Sequence, residues 1–504
     1  MAIFKAWNQD KKRSNLWNKV IYIMKLNEIV HNINFKGNPD DRNITNITYD
    51  SRKVKDGSLF IAISGENQDG HDYILEAIDK GASAIIANGR APISDVIPIL
   101  QVSNPRKTMS KIAANFYKNP SKGLNVIGIT GTNGKTTTTQ IVDHIIKSNN
   151  KTSSSLGTLG FNTPSGMIST GFTTPESIEL QQILDTIKKG GIEYVPMEIS
   201  SHAIELYRTN DVDVNIAIFT NIGHDHLDFH KSIDNYFNAK LKLFTKLNKN
   251  SLAILNHDDP YTKKIINKIN CNYLTYGFDK KASLNIKEHS LKINKSSAIL
   301  KYDNKLINID TQLIGKFNLY NLSAAILCAI NLGINIDSII KSIKHFSNVP
   351  GRLEKYSHKN NTIIIDYAHT PDAFTNIFNN ISDLKNKNKK IITVFGCGGN
   401  RDKSKRKLMG KIASNYSDYT YITNDNPRFE NEDEIINDIL EGIENKKYEV
   451  IKDRKSAIIS ALNNDNSIIL ILGKGVEKYQ IIKNKKIDHS DIEIVKDYIN
   501  ENRD

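Results

Sequence analysis

Residues 124–137, LNVIGITGTNGKTT, constrain this chain more than any other stretch. Leu124 to Ile129 is short, rich in β-branched residues and apolar apart from Asn125 and Gly128, which predicts a buried strand of a parallel sheet. A turn punctuated by Gly131 and Gly134 follows, then Lys135-Thr136 and a helical run to about Ser148. Strand, glycine loop and a helix opening on Lys-Thr make a phosphate cradle. Backbone N–H groups of Gly131, Thr132, Asn133 and Gly134, and of the helix start Lys135, Thr136 and Thr137, face an anion. The Lys135 ammonium neutralises β- and γ-phosphates, and the Thr136 hydroxyl is placed to ligate Mg²⁺, so a nucleotide is the expected ligand. The strict spacing puts a glycine where Ile129 stands, so the loop is a variant.

A chain of 504 residues exceeds one core and suggests about three domains of ~150 residues. No apolar run approaches the ~18 residues of a membrane span. Cys271, Cys328 and Cys397 lie far apart without metal spacing, as expected of a protein in a reducing cytoplasm. The net charge of +13 is spread among Asn and Ile rather than gathered with aromatics. That argues against nucleic acid and suits polyanionic small substrates. Residues 1–23 hold a single acid, Asp10, and precede a second methionine, Met24. They read as an extended or misassigned start, with a basic targeting arm as the alternative.

The rest divides by pattern into three α/β domains with mainly parallel sheets: 24–108, 109–346 and 347–504. In the first, Asp50-Ser51-Arg52 closes a strand and Gly65 to Gly70 form a turn-rich loop, where small α/β domains place ligand groups. In the second, Pro175 suits a first helical position with Thr174 as its cap. EYVPMEISSHAIELYR predicts a strand ending at Glu198, and a carboxylate there, opposite a phosphate loop, suits a nucleotide-bound Mg²⁺. A His/Asp cluster follows another buried strand, Lys240 sits on an amphipathic helix, and 246–312 reads as an appended β-rich stretch. Asn318 and Asn321 share one face of a helix start, where capping is the plain explanation. In the third, Pro350-Gly351 marks a hinge-like turn, and Asp366 at a strand end suits a ribose hydroxyl or a turn capping a helix at Thr370-Pro371. The glycines and basic residues of KIITVFGCGGNRDKSKR are suited to phosphate or carboxylates.

The variant loop TGTNGKTT resembles that of Mur ligases and folylpolyglutamate synthases. DSR, DGSLFIAISG, DGHDYI and GASAII resemble the uridine-nucleotide domain of the Mur ligases that add the third amino acid, a domain folylpolyglutamate synthases lack. The likeness extends over residues 24–504 and implies a three-domain α/β fold, with a central P-loop ATPase domain and a Rossmann-like C-terminal domain. It implies that Ser51, Glu66, Asn67 and Gln68 contact the uridine nucleotide, while Thr173, Thr174, Ser200 and Arg208 hold the muramoyl peptide. Lys135, Glu198, His226 and Lys240 become the catalytic set; Thr136, Glu198, His226 and a carbamylated Lys240 become ligands of two Mg²⁺ ions. Asn318, Arg352 and Asp366 are implied nucleotide contacts.

The loop Asp425-Asn426-Pro427-Arg428 resembles that of members adding meso-diaminopimelate, whose second carboxylate suits arginine's planar fork. Arg401, Gly473 and Glu477 are implied partners of the same ligand. The implied activity is ATP-dependent amide formation on UDP-MurNAc-L-Ala-D-Glu through an acyl phosphate, by a cytoplasmic monomer whose last two domains close over the substrates. The chain departs from the pattern at Leu206, where many relatives carry glutamine, and at Val476, where histidine is common. A lysine-adding ligase, a folylpolyglutamate-type ligase and a non-catalytic nucleotide-binding module remain as alternatives.

Overall fold

The computed structural model describes residues 22–502 except 66–67, 91–93, 164–165, 224, 293–294, 385–388 and 446. The extension up to residue 21, and Glu66 and Asn67 of the expected uridine loop, lie outside the described residues. The first sheet is wholly parallel and runs in chain order: β1 (Asn46–Thr48), β2 (Ser58–Ile61), β3 (Ala82–Ala87) and β4 (Ile99–Gln101).

The central sheet is built around β5 (Asn125–Thr130), which leads through the glycine loop into α1 (Lys135–Ser148). Then come β6 (Leu156–Gly157), β7 (Gly160–Thr163), β8 (Gly166–Ile168), α2 (Ser177–Lys189), β9 (Tyr194–Glu198) and α3 (Ser201–Glu205). Next are β10 (Ile216–Phe219), α4 (Ile233–Thr245), β11 (Leu252–Asn256) and β12 (Asn272–Gly277). The meander β13 (Leu284–Leu291), β14 (Ser296–Tyr302), β15 (Lys305–Thr311) precedes α5 (Lys316–Asn331). All eleven strands join one sheet, in the order β8-β7-β6-β9-β5-β10-β11-β12-β13-β14-β15. The stretch 246–312 is appended to the central sheet: β11 and β12 continue its parallel ladder, and the meander turns antiparallel.

Period-two alternation explains why β5 sits at the centre. Ile127 and Ile129 pack with α1 and α5 on one face, whereas Val126 packs with α2 and α4 on the other. Helices cover both faces, so Val126 to Ile129 is buried and carries no polar side chain.

The last sheet comprises β16 (Glu354–His358), β17 (Asn361–Asp366), β18 (Lys390–Phe395), β19 (Tyr419–Ile422), β20 (Tyr448–Val450) and β21 (Ser467–Leu472). Its order is β16-β17-β21-β18-β19-β20, parallel except for β16. Its helices include α6 (Pro371–Leu384), α7 (Ser404–Tyr416), α8 (Arg454–Leu462) and α9 (Asp491–Glu501), and a hairpin pairs β22 (Tyr479–Ile482) with β23 (Lys485–Asp488).

Two local expectations are corrected. α2 begins at Ser177 behind Glu176, so Pro175 is not its first residue and Thr174 does not cap it. The Thr174 hydroxyl instead donates to Glu198 O (2.8 Å) and accepts from Ser200 N (3.1 Å), tying this loop to the end of β9. Arg406, in the basic segment expected to bind substrate, is fully buried and paired with Glu430 (2.9 Å) and Asp438 (2.8 Å). It locks α7 in place and cannot reach a ligand.

Arg454 and Asp491 form a second buried pair, at 2.7 Å, that joins α8 to α9. Burial alone would raise the Asp491 pKa, but Arg454 and His489 overcome this and hold the carboxyl well below the usual carboxylate range. A depressed folded pKa stabilises above the unfolded value of ~3.9, and that stabilisation drains away as pH falls below it. Asp491→Asn strands a buried guanidinium and is expected to cost about 3–5 kcal/mol, read as a lower urea midpoint at pH 7. The loss should shrink below about pH 4, where the parent protein forfeits the same pair.

Candidate functional site

The phosphate loop opens into a cleft of about 670 Å³ at the C-terminal ends of β5, β9 and β10. It is lined from the central sheet by Thr132–Thr137, Glu198, Ser200, Asp225, His226 and Lys240, and from the last sheet by Arg352, Asp366, Tyr367 and His369. Lys135 Nζ folds over the loop and donates to Gly131 O (2.9 Å) and Thr132 O (2.8 Å). Gly134 starts α1 at φ +85°, and a Cβ there would fall against Asn321 Oδ1. Gly134→Ala is therefore expected to weaken ATP binding about tenfold by strain in the cradle, measurable by calorimetry.

Glu198 is nearly fully buried at the end of β9. Its Oε2 accepts from Thr136 Oγ1 (2.9 Å) and from the Thr158 hydroxyl (3.2 Å), and its Oε1 accepts from Thr158 N–H (2.8 Å). Lys240 Nζ, also buried, projects from α4 and donates to Gly131 O at 2.9 Å. Burial first, and the neighbouring Lys135 second, push its pKa far below that of an ordinary lysine. Tyr236, one turn earlier, lies under the Lys240 ammonium and shares a hydrogen bond with Thr132 (3.1 Å). His226 faces Asp225 (3.3 Å) and His202. Burial lowers its pKa to about 4, against the pull of Asp225, so the imidazole is neutral at physiological pH and open to a metal.

From the third sheet, Arg352 Nη2 donates to Thr136 Oγ1 (3.3 Å), and its guanidinium stacks on Tyr367. Asp366 accepts from Leu353 N and Ala368 N, both at 2.7 Å, and burial raises its pKa. Thr370 caps α6 through Ala373 N (3.3 Å), with Pro371 as the first helical residue, so the capping turn and the Asp366 position coexist. Asn318 donates to Ile314 O (2.8 Å) and accepts from Asn321 (2.9 Å).

The remaining expected residues fall into separate groups. Thr173 and Ser200 line the cleft, whereas Arg208 lies behind it, donating to Thr174 O (3.0 Å) and paired with Glu176 (2.9 Å). Ser51 and Gln68 lie on loops of the first sheet and do not line the cleft; Asp50 caps the turn at Ser51 and pairs with Arg52. Asp425–Arg428, Gly473 and Glu477 converge across some fifty residues of sequence. Asn426 donates to Glu477 Oε2 (3.0 Å), and Arg428, in left-handed backbone at φ +54°, donates to Gly399 O (2.8 Å). Arg401 is near enough for its charge to lower the Arg428 pKa, after burial, the larger cause. Gly473 N–H donates to Asp366 O (3.0 Å), so this cluster and the phosphate cleft share one wall.

Thr158, Tyr236 and Lys474 were not singled out by the sequence. Thr158 carries no motif; Tyr236 and Lys474 stand inside informative stretches, and only the fold reveals their partners.

Three regions match known families: residues 43–117 the Mur ligase family catalytic domain, 129–329 the Mur ligase middle domain, and 351–475 the Mur ligase glutamate ligase domain. The chain is 42% identical over 485 residues to UDP-N-acetylmuramoyl-L-alanyl-D-glutamate–2,6-diaminopimelate ligase of Clostridioides difficile, covering 94% of this chain and 98% of that protein. The corresponding ligase of Aquifex aeolicus is 41% identical over 461 residues, with 91% and 94% covered. A solved ligase of the same name superposes with a TM-score of 0.68 at 27% identity, over 95% of this chain and 99% of that one. Folylpolyglutamate synthase of Mycobacterium tuberculosis, solved with ADP, shares the fold over 73% of this chain at a TM-score of 0.62 and 15% identity.

Proposed function

The chain belongs to the Mur ligase family, and from that premise we propose that it joins meso-2,6-diaminopimelate to UDP-N-acetylmuramoyl-L-alanyl-D-glutamate with hydrolysis of ATP to ADP and phosphate. It is an ATP-dependent ligase that serves peptidoglycan precursor synthesis. Among the described residues no helix is long and apolar enough to cross a membrane. The observation that supports the reading most is the shared wall between the phosphate cleft and the Asp425–Glu477 cluster, since an acyl phosphate formed in one must meet an amine held in the other.

In the first step a γ-carboxylate oxygen of the D-glutamyl residue attacks the γ-phosphorus, the bond to the bridging oxygen breaks, and ADP leaves. In the second, the amine attacks the acyl carbon, loses a proton, and phosphate is expelled from the tetrahedral intermediate. Positioning and charge neutralisation carry such chemistry. Loop N–H groups and Lys135 cradle the triphosphate, and Arg352 approaches it from the third sheet beside Thr136. Asn318 and Asp366 would hold the nucleoside end.

The donor set fits Mg²⁺, a hard cation that prefers oxygen: Thr136 and Glu198 are adjacent, and a carbamylated Lys240 with neutral His226 would serve a second ion. Among the described residues no three His, Cys, Asp or Glu side chains converge as a cage, so phosphate oxygens and water would complete each shell. When bound, the ions neutralise charge developing on the transferring phosphoryl group. Thr173, Thr174, Ser200 and Arg208 would orient the muramoyl peptide, and Ser51 and Gln68 the uridine end.

The test follows ¹⁸O from the substrate γ-carboxylate. An acyl phosphate delivers one labelled oxygen to the released phosphate. Label that stays wholly in the peptide product would rule this sequence of steps out.

A further inference from the structure

Lys474 is fully buried between the two ends of the amino-acid cluster. Its Nζ donates to Glu477 Oε2 (2.8 Å) and to Asn426 Oδ1 (3.2 Å). Asn426 Nδ2 reaches the same Glu477 oxygen at 3.0 Å, so both contacts fall on Oε2, and Oε1 accepts no hydrogen bond among the described residues. A buried ammonium persists only where it is paired, and here Glu477 is its counterion. The carboxylate expected to receive the distal ammonium of the amino-acid substrate is thus already neutralised by the protein.

The charged groups that act on one another in this cluster are Arg401, Arg428 and Lys474 against Asp425 and Glu477. Buried Arg454 also feels Asp425 and Glu477, but Asp491 cancels it at 2.7 Å. A cluster with one cation in excess suits a distal end that is a zwitterion, carboxylate toward the arginines and ammonium toward Glu477 Oε1. A distal end that is only an ammonium, as in lysine, brings a cation beside Lys474 and supplies no anion to the arginines.

We propose that Lys474 is a specificity-determining residue: by holding Glu477 in a buried ion pair, it makes the pocket reject a bare ammonium and admit a zwitterionic end. Lysine is then refused by repulsion as well as by the contact it lacks. The inference rests on the diaminopimelate reading above and assigns its selectivity to a residue beyond the arginine loop.

The experiment compares kcat/KM for meso-diaminopimelate and L-lysine in the wild type, Lys474→Gln and Lys474→Arg. Gln retains donors for Glu477 and Asn426 without the charge, whereas Arg retains the charge. The diaminopimelate-to-lysine ratio should fall at least about tenfold in Lys474→Gln and stay near wild type in Lys474→Arg. An unchanged ratio in Lys474→Gln, or an equal fall in both, would overturn the proposal. A second measurement needs no variant: L-2-aminopimelate, which has the distal carboxylate but no ammonium, should be a better wild-type substrate than lysine. The reverse order would overturn the charge argument even if the variants fail to fold. Wild-type enzyme that turns over none of these acceptors would instead defeat the underlying reading, and this inference with it.

Discussion

Lys240→Arg is expected to lower the rate of phosphate release by about 10²–10³-fold while leaving the fold intact. The amine is buried, held by Gly131 O inside the phosphate loop, and depressed in pKa by burial and by Lys135. The expected loss rests on carbamylation of Lys240, in which the neutral amine would attack CO₂, form an N–C bond and lose a proton to give an anionic carbamate. That inversion of charge suits a place beside a triphosphate and its metal ions better than a second ammonium next to Lys135. Arginine stays protonated and cannot react this way. Two readouts check the account. Stripping dissolved CO₂ should reduce wild-type activity and bicarbonate should restore it, and ¹³C-bicarbonate should give a carbamate signal that the variant lacks. Activity of Lys240→Arg near wild type would contradict it.

Arg428→Ala is expected to lower kcat/KM for diaminopimelate by about 10²–10³-fold, because it leaves a substrate carboxylate desolvated and unpaired. The side chain is pre-set for this contact: Gly399 O anchors one guanidinium nitrogen, and the left-handed backbone is pinned by a bridge to Ile482. Little rotamer freedom remains to be lost on binding. Steady-state kinetics with lysine as the control acceptor separates this from a general loss of activity, since lysine has no distal carboxylate to lose. An equal fall for both acceptors would show that Arg428 only supports the loop.

The strand–loop–helix at 125–148 was legible because its signals are local: a β-branched run, glycines where the backbone must turn, and a helix that opens on Lys-Thr. The meeting of Asn426 with Glu477 was legible only through family likeness, because nothing in either segment refers to the other. Misreadings arose where a residue with good local chemistry is recruited at long range. Thr174 has the side chain of a helix cap, but β9 and Ser200 claim its hydroxyl. Arg406 stands in a basic run, yet Glu430 and Asp438 take it into the core. The appended β-rich reading of 246–312, by contrast, agrees with the fold, in which its first strand pairs with β10 and the rest extend the central sheet. Lys474 hid for the opposite reason: in sequence it is one lysine among many, and only its burial between Asn426 and Glu477 sets it apart.

The most direct measurement of the central claim is a competition. The protein would be incubated with ATP, Mg²⁺, UDP-MurNAc-L-Ala-D-Glu and equal concentrations of meso-diaminopimelate and L-lysine, and the nucleotide products weighed by mass spectrometry. The account predicts one new species, the diaminopimelate tripeptide, formed in step with ADP. A lysine tripeptide in comparable amount, or ADP without any peptide product, would contradict it.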